Sequence, residues 1–222
     1  MSAKPIAAVV FDFDGTIIDT ETPVYESWRD TFLHAGVEPI DFNVWASQIG
    51  MADADALDTR AVLCERLGVD EVPEELEAMR RALIQEMLHA QPVRSGVVDF
   101  LDLAEAFGVR LAIGSSSPTS WVDSNLRRVG LRDRFELLSC ADPGIPGKPD
   151  PTVYLEACRA LGAAPSAALA IEDSRNGVTA AVAAGMACIA APGPITTGAD
   201  FSHATVAVES LSVLDPADWL TH

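Results

Sequence analysis

The sequence predicts an α/β fold, a doubly wound parallel sheet interrupted after its first strand by an all-helical insertion. Three observations predict it. From about residue 97 onward, short apolar runs alternate with segments of helical periodicity. Near the N-terminus one run is apolar at consecutive positions, as a strand buried on both faces requires. Between these regions, from about Pro23 to Pro92, apolar residues recur only at helical spacing.

Taken in order, Ile6 to Val10 is the first strand, and it ends in carboxylates. In the insertion, Tyr25, Trp28 and Phe32 mark one helical face, and Leu76, Met79, Leu83 and Met87 mark another. Pro73-Glu74-Glu75 is a helix start, because proline suits the first turn and acids suit the positive end of the dipole. After Pro92-Val93-Arg94-Ser95-Gly96 the pattern predicts a helix over 97–107, a strand over 109–113 and a helix entered at Ser117-Pro118. A short strand over 135–139 precedes a Pro/Gly-rich loop over 142–149 and a helix over 151–161. A strand over 168–171, a helix over 174–184 and weaker strands over 187–190 and 205–208 close the series. Ligands are expected at the carboxyl ends of the strands.

The 222 residues suffice for one substantial core plus a smaller inserted domain. Hydrophobic residues make up 49% and charged residues 22%, the balance of a chain that folds. A net charge of −18 without a basic cluster argues against nucleic acid and anionic membrane as partners, and no run is apolar enough to span a bilayer. Cys64, Cys140, Cys158 and Cys188 show no metal-ligand spacing, and no export signal is visible, so reduced thiols and a cytoplasmic location are expected. Lysines occur only at Lys4 and Lys148, which makes the second one conspicuous.

In Phe11-Asp12-Phe13-Asp14, strand geometry would put both carboxylates on one side and both phenyl rings on the other. Two acids so close need a cation between them or a proton on one, and Mg2+ meets the first condition. Gly15 permits a tight turn, and Thr16 can offer its hydroxyl or amide. Alone, such a pair is usually a solvated strand end.

The longer run Phe11 to Glu21, FDFDGTIIDTE, resembles the first motif of the haloacid dehalogenase superfamily, in the branch containing β-phosphoglucomutase and related sugar phosphatases. The resemblance implies a Rossmann-like core of residues 1–18 and 94–222 with an inserted helical cap of residues 19–93. It implies that Asp12 attacks phosphorus to form an aspartyl phosphate while Asp14 protonates the leaving oxygen and later activates water. Ser115, at the end of Leu111-Ala112-Ile113-Gly114-Ser115, matches the residue that binds the phosphoryl group, with Ser116 and Ser117 following at a helix start. For Ser117 an ordinary helix-capping role is an equal alternative. Lys148, in Gly147-Lys148-Pro149-Asp150-Pro151, matches the lysine that steadies nucleophile and phosphoryl charge. Glu172 and Asp173 match the acidic fourth motif, giving Asp12, Asp14, Glu172 and Asp173 as the Mg2+ set. Asp173 is the direct ligand in this reading, Glu172 binds directly or through water, and helix capping is the alternative for Asp173.

The insertion would close over a small phosphorylated metabolite, hinged near Asp19 to Thr22 and Pro92 to Gly96. At the positions where β-phosphoglucomutases carry a cap His and Arg, this chain has Val24 and Asp53, so hydrolysis is favoured over mutase action. Asp14 argues against a metal-free 2-haloacid dehalogenase, and a cap without lysine excludes a phosphonatase. A non-catalytic phosphate-metabolite-binding protein is the alternative of another class. The expectation is a monomeric, Mg2+-dependent phosphatase of a small phosphate monoester.

Overall fold

The apolar run ahead of the carboxylates is the central strand of the sheet. The computed structural model describes residues 5–51 and 56–220. Strands β1 (Ala8–Phe11), β2 (Arg110–Ser115), β3 (Leu137–Cys140), β4 (Ala168–Glu172), β5 (Ala187–Ala190) and β6 (Val206–Ala207) form one all-parallel sheet. The strand order is β3-β2-β1-β4-β5-β6. The order reverses direction at β1, which places the crevice for a ligand beside its carboxyl end.

The period-two pattern of the strands sorts large and small side chains onto opposite faces. Val9, Phe11, Leu111, Ile113, Leu169 and Ile171 join one core cluster, while Ala8, Val10, Ala112, Ala168 and Ala170 join the other. Helices α5 (Val97–Ala106) and α6 (Thr119–Arg128) cover the bulky face, where Phe100 and Phe135 meet Phe11 edge-on at 5.8 and 6.0 Å. Each such pair contributes about 0.5–1.5 kcal/mol beyond its buried area. On the alanine-rich face, small residues let α7 (Thr152–Ala160) and α8 (Arg175–Ala183) lie close to the sheet.

Between β1 and β2 the described residues form four helices, α1 (Glu21–His34), α2 (Phe42–Gln48), α3 (Thr59–Leu67) and α4 (Glu74–Ala90), and no strand. They have a small core of their own around Trp28, Phe32, Ile40 and Leu63. The α/β class with an inserted helical segment is therefore as the sequence predicts. Differences are local. The second strand runs on to Ser115, the helix expected at Ser117-Pro118 starts at Thr119, and the third strand starts at Leu137, after a 3-10 turn over 132–134. A short helix α9 (Ala217–Leu220) ends the described chain. All four cysteines are free, and no described helix is long and apolar enough to cross a membrane.

The two connections into the helical insertion are tied to each other and to the core. Ile18 pairs antiparallel with Val93, and the Arg94 N–H donates to the Ile17 carbonyl at 2.9 Å. The Arg94 guanidinium donates to the carbonyls of Gly15, Ala191 (2.9 Å) and Pro192 (2.8 Å). One planar fork thus joins the turn after β1 to the loop after β5. Arg94→Ala is expected to lower unfolding free energy by roughly 2 kcal/mol in urea titrations, because three carbonyls lose a charged donor.

Candidate active site

Five of the seven residues singled out in the sequence, Asp12, Ser115, Lys148, Glu172 and Asp173, are buried in the structure. Asp12 directly follows β1, Ser115 ends β2, and Glu172 ends β4, so adjacent strands deliver them to one edge of the sheet. Lys148 reaches the same place from the loop after β3. Its ammonium sits 2.5 Å from Asp12 Oδ1 and 2.6 Å from Glu172 Oε1, fully buried.

Glu172 is saturated. Its Oε1 also accepts from the Tyr154 hydroxyl (2.5 Å), and its Oε2 accepts from the Asp173 and Ser174 N–H groups and the Ser174 hydroxyl at 3.1–3.2 Å. A Cβ at Gly177 would overlap this carboxylate, so the first turn of α8 needs glycine there. Asp173 differs. Its Oδ2 accepts from Thr196 Oγ1 at 3.3 Å, but its buried Oδ1 has no hydrogen-bond partner. An orphaned carboxylate oxygen inside a protein calls for a cation or a water. Asp173 does not cap the following helix; the Ser174 hydroxyl does, accepting from Gly177 N–H.

Ligand oxygens of Asp12, Glu172 and Asp173 lie within 4.8 Å of one another. Three carboxylates against one ammonium leave two negative charges, the complement of one dication. The oxygen-only donor set, the net charge and the orphaned Asp173 Oδ1 all fit Mg2+.

Asp14 does not converge on this group. β1 ends at Phe11, and a turn at Gly15, with φ of +77°, takes the chain away, so strict strand alternation does not carry through to Asp14. Its Oδ1 accepts from Thr20 Oγ1 and Trp121 Nε1, both at 2.8 Å, and its Oδ2 accepts from Ser117 Oγ at 2.6 Å. Ser117 therefore holds an acid, and Pro118 takes the capping position of α6. Ser115 Oγ accepts from Ser117 N–H at 3.0 Å. Ser116 Oγ accepts from Lys148 N–H at 2.9 Å and donates to the Gly50 carbonyl of the insertion at 2.7 Å. Thr16 Oγ1 is buried without a partner. Asp53 lies outside the described residues, while Val24 lines the cavity between insertion and core.

Sequence reasoning missed Tyr154, Thr196, Arg94, Thr20 and Trp121. All but Thr20, six positions from Asp14, act across a large sequence separation, and none carries a local pattern. Thr20 lies inside the Phe11 to Glu21 run and Arg94 inside Pro92 to Gly96, and Trp121 sits three residues past Pro118, but nothing local marks any of them as a partner of the site.

A family match now adds to this geometry. The haloacid dehalogenase-like hydrolase family matches residues 6–185. The chain belongs to that family. YhcW of Bacillus subtilis, provisionally described as a phosphatase, is 37% identical over 218 residues, covering 98% of this chain and 97% of its own. Hexitol phosphatase B of Escherichia coli strain K12 is 30% identical over 220 residues, 98% of each chain. A crystal structure of a CbbY variant from Rhodobacter sphaeroides in complex with xylulose-(1,5)bisphosphate superposes with a TM-score of 0.78 at 26% identity, covering 98% of this chain and all of that one. Membership of a hydrolase family makes the buried cluster at the sheet edge its candidate catalytic centre.

Electrostatics give a pH signature. Burial pushes the Asp12 carboxyl up to about 7, the charges of Glu172 and Asp14 push the same way, and Lys148 pulls it back only in part. Burial, then Asp12 and Glu172, likewise hold Asp173 well above the usual carboxylate range. For Lys148, burial opposes the charge but the two carboxylates outweigh it, and its value rises. Asp12 and Asp173 bind protons more tightly folded than unfolded. Their contribution to stability is therefore present below the ordinary carboxylate range and is lost as pH rises, that of Asp12 through about 7. Mg2+ needs the deprotonated groups, so it should raise the melting temperature more at about pH 8 than at about pH 6, as a thermal-shift titration would read. Gly177→Ala reverses an ordinary rule. In an open helix the change would stabilise by about 1 kcal/mol; here it should destabilise by about 1–3 kcal/mol through overlap with Glu172, and weaken Mg2+ binding by calorimetry.

Proposed function

We propose that the protein is a Mg2+-dependent phosphatase that hydrolyses a small phosphate monoester, of a sugar or similar metabolite, through an aspartyl phosphate on Asp12. The observation that carries this reading is the buried Lys148 bridging Asp12 and Glu172 beside the orphaned oxygen of Asp173. Relatives named as phosphatases support it.

Lys148 orients Asp12 through Oδ1 and offers positive charge where phosphoryl charge develops. A carboxylate oxygen of Asp12 attacks phosphorus, the bond to the ester oxygen breaks, and Asp14 gives that oxygen its proton. Water then attacks the phosphoryl group, Asp14 takes its proton, and Asp12 is freed as phosphate leaves. Thr20, Ser117 and Trp121 hold Asp14 for both proton transfers. Asp12 and Asp173 would hold Mg2+, with Glu172, whose oxygens are taken by Lys148, Tyr154 and the start of α8, acting through water; the ion supplies charge neutralisation for the phosphoryl oxygens. Ser115 and Ser116 are the residues offered to the phosphoryl group. Residues 19–93 act as a cap over the site, and Ser116, Ser174 and Asn176 stand where that cap meets the core.

Phosphate release from an aryl phosphate should require Mg2+ and fall at least about a thousandfold in Asp12→Asn. A folded Asp12→Asn protein that retains turnover would remove Asp12 as nucleophile.

A further inference from the structure

Asp14, the acid assigned to the leaving oxygen, also lines a cavity of about 480 Å3 between the helical insertion and the core. If Asp14 delivers its proton there, that cavity holds the leaving group. Its volume is within the range of small-molecule sites, about 300–1,000 Å3. What lines it constrains what it can take.

The charged side chains on its wall are Asp14 and Glu21, both acids, and among the described residues no Lys, Arg or His lines it. Positions 52–55 read Ala-Asp-Ala-Asp and contain no base. The five arginines between residues 19 and 93 are committed elsewhere. Arg29 pairs with Glu26 and Asp30, Arg60, Arg80 and Arg81 engage Glu77, and Arg66 donates to the Glu38 carbonyl. Arg80 stacks 4.3 Å from the centre of the Trp28 ring, and Arg60 lies over the same ring at 5.8 Å. The wall is instead aromatic and neutral polar. Trp28, Trp45 and Trp121 contribute apolar ring surface, and Gln48 and Thr59 offer neutral hydrogen-bonding groups.

Resting on the phosphatase reading above, we propose that this cavity selects the monophosphate of an uncharged, hydroxyl-bearing leaving group, a sugar or sugar alcohol, and rejects substrates with a second anionic group. The C–H faces of such a leaving group lie on the indole rings while its hydroxyls meet the neutral polar groups. A second phosphate or a carboxylate would be desolvated in this cavity with no cation on the described wall to pair it.

The test compares kcat/KM for a hexitol monophosphate, a hexose bisphosphate, phosphoglycolate and an aryl phosphate, each with Mg2+. The hexitol monophosphate should exceed the bisphosphate and phosphoglycolate by at least about tenfold. Met51→Lys, which puts a cation of similar reach on the wall, should narrow the bisphosphate gap severalfold; Leu57→Lys is the second variant should the first fail to fold. Wild-type protein that uses the bisphosphate or phosphoglycolate as well as the hexitol ester overturns the selectivity while leaving the phosphatase reading intact. An unchanged ratio in both lysine variants also overturns it. Folded protein inactive on all four compounds removes the phosphatase reading, and this proposal with it.

Discussion

The buried Lys148 ammonium is the constraint on which the rest of the site depends. A charge with no exposure to water is tolerated only when it is paired, and here it needs both Asp12 and Glu172. Those two acids end neighbouring central strands. The β1–β4 register, with Phe11 opposite Ile171 and the Asp12 N–H on the Ile171 carbonyl at 2.9 Å, fixes how far apart they stand. Loss of either acid would leave Lys148 half-paired in the interior, a cost of about 3–5 kcal/mol. Sheet register and catalytic geometry are therefore one requirement.

That requirement divides labour among the acids. Glu172 spends its lone pairs on Lys148, Tyr154 and the start of α8, so it organises the site. Asp173, held from one side by Thr196, keeps an oxygen unfilled. Asp14 stands apart, gripped by three donors on the cavity wall. Similar carboxylates in one short stretch of sheet edge thus acquire different chemistry from their hydrogen-bond partners.

The elements were legible in the sequence because their signals are local. An apolar run such as Ile6 to Val10 needs no distant partner to read as a buried strand, and helical spacing alone placed Tyr25, Trp28 and Phe32 on a single face. Motif residues at strand ends were legible for the same reason, since Asp12, Ser115 and Glu172 follow recognisable runs. What escaped was orientation. Alternation put Asp14 beside Asp12 only if the strand continued, and it ends at Phe11 with the chain turning away at Gly15. Tyr154, Thr196 and Arg94 depend on contacts across 18, 23 and up to 98 positions. No periodicity encodes such pairings.

The seam between insertion and core is built of weaker material than the cluster beneath it. Asn176 Nδ2 donates to the carbonyls of Ser47 (3.3 Å) and Ile49 (2.8 Å), and Ser116 Oγ donates to the Gly50 carbonyl. These carbonyls lie at or just past the end of α2, where helices leave acceptors unfilled and the dipole is negative. Water can replace each donor, so each bond is worth only about 1 kcal/mol net. Lys148 has no such substitute, because opening its contacts exposes opposite charges to one another's loss inside the protein. The seam is therefore held by bonds that water can replace, while the cluster is not. Ser116 joins the two regimes, since the hydroxyl that closes on Gly50 also accepts the Lys148 N–H at 2.9 Å.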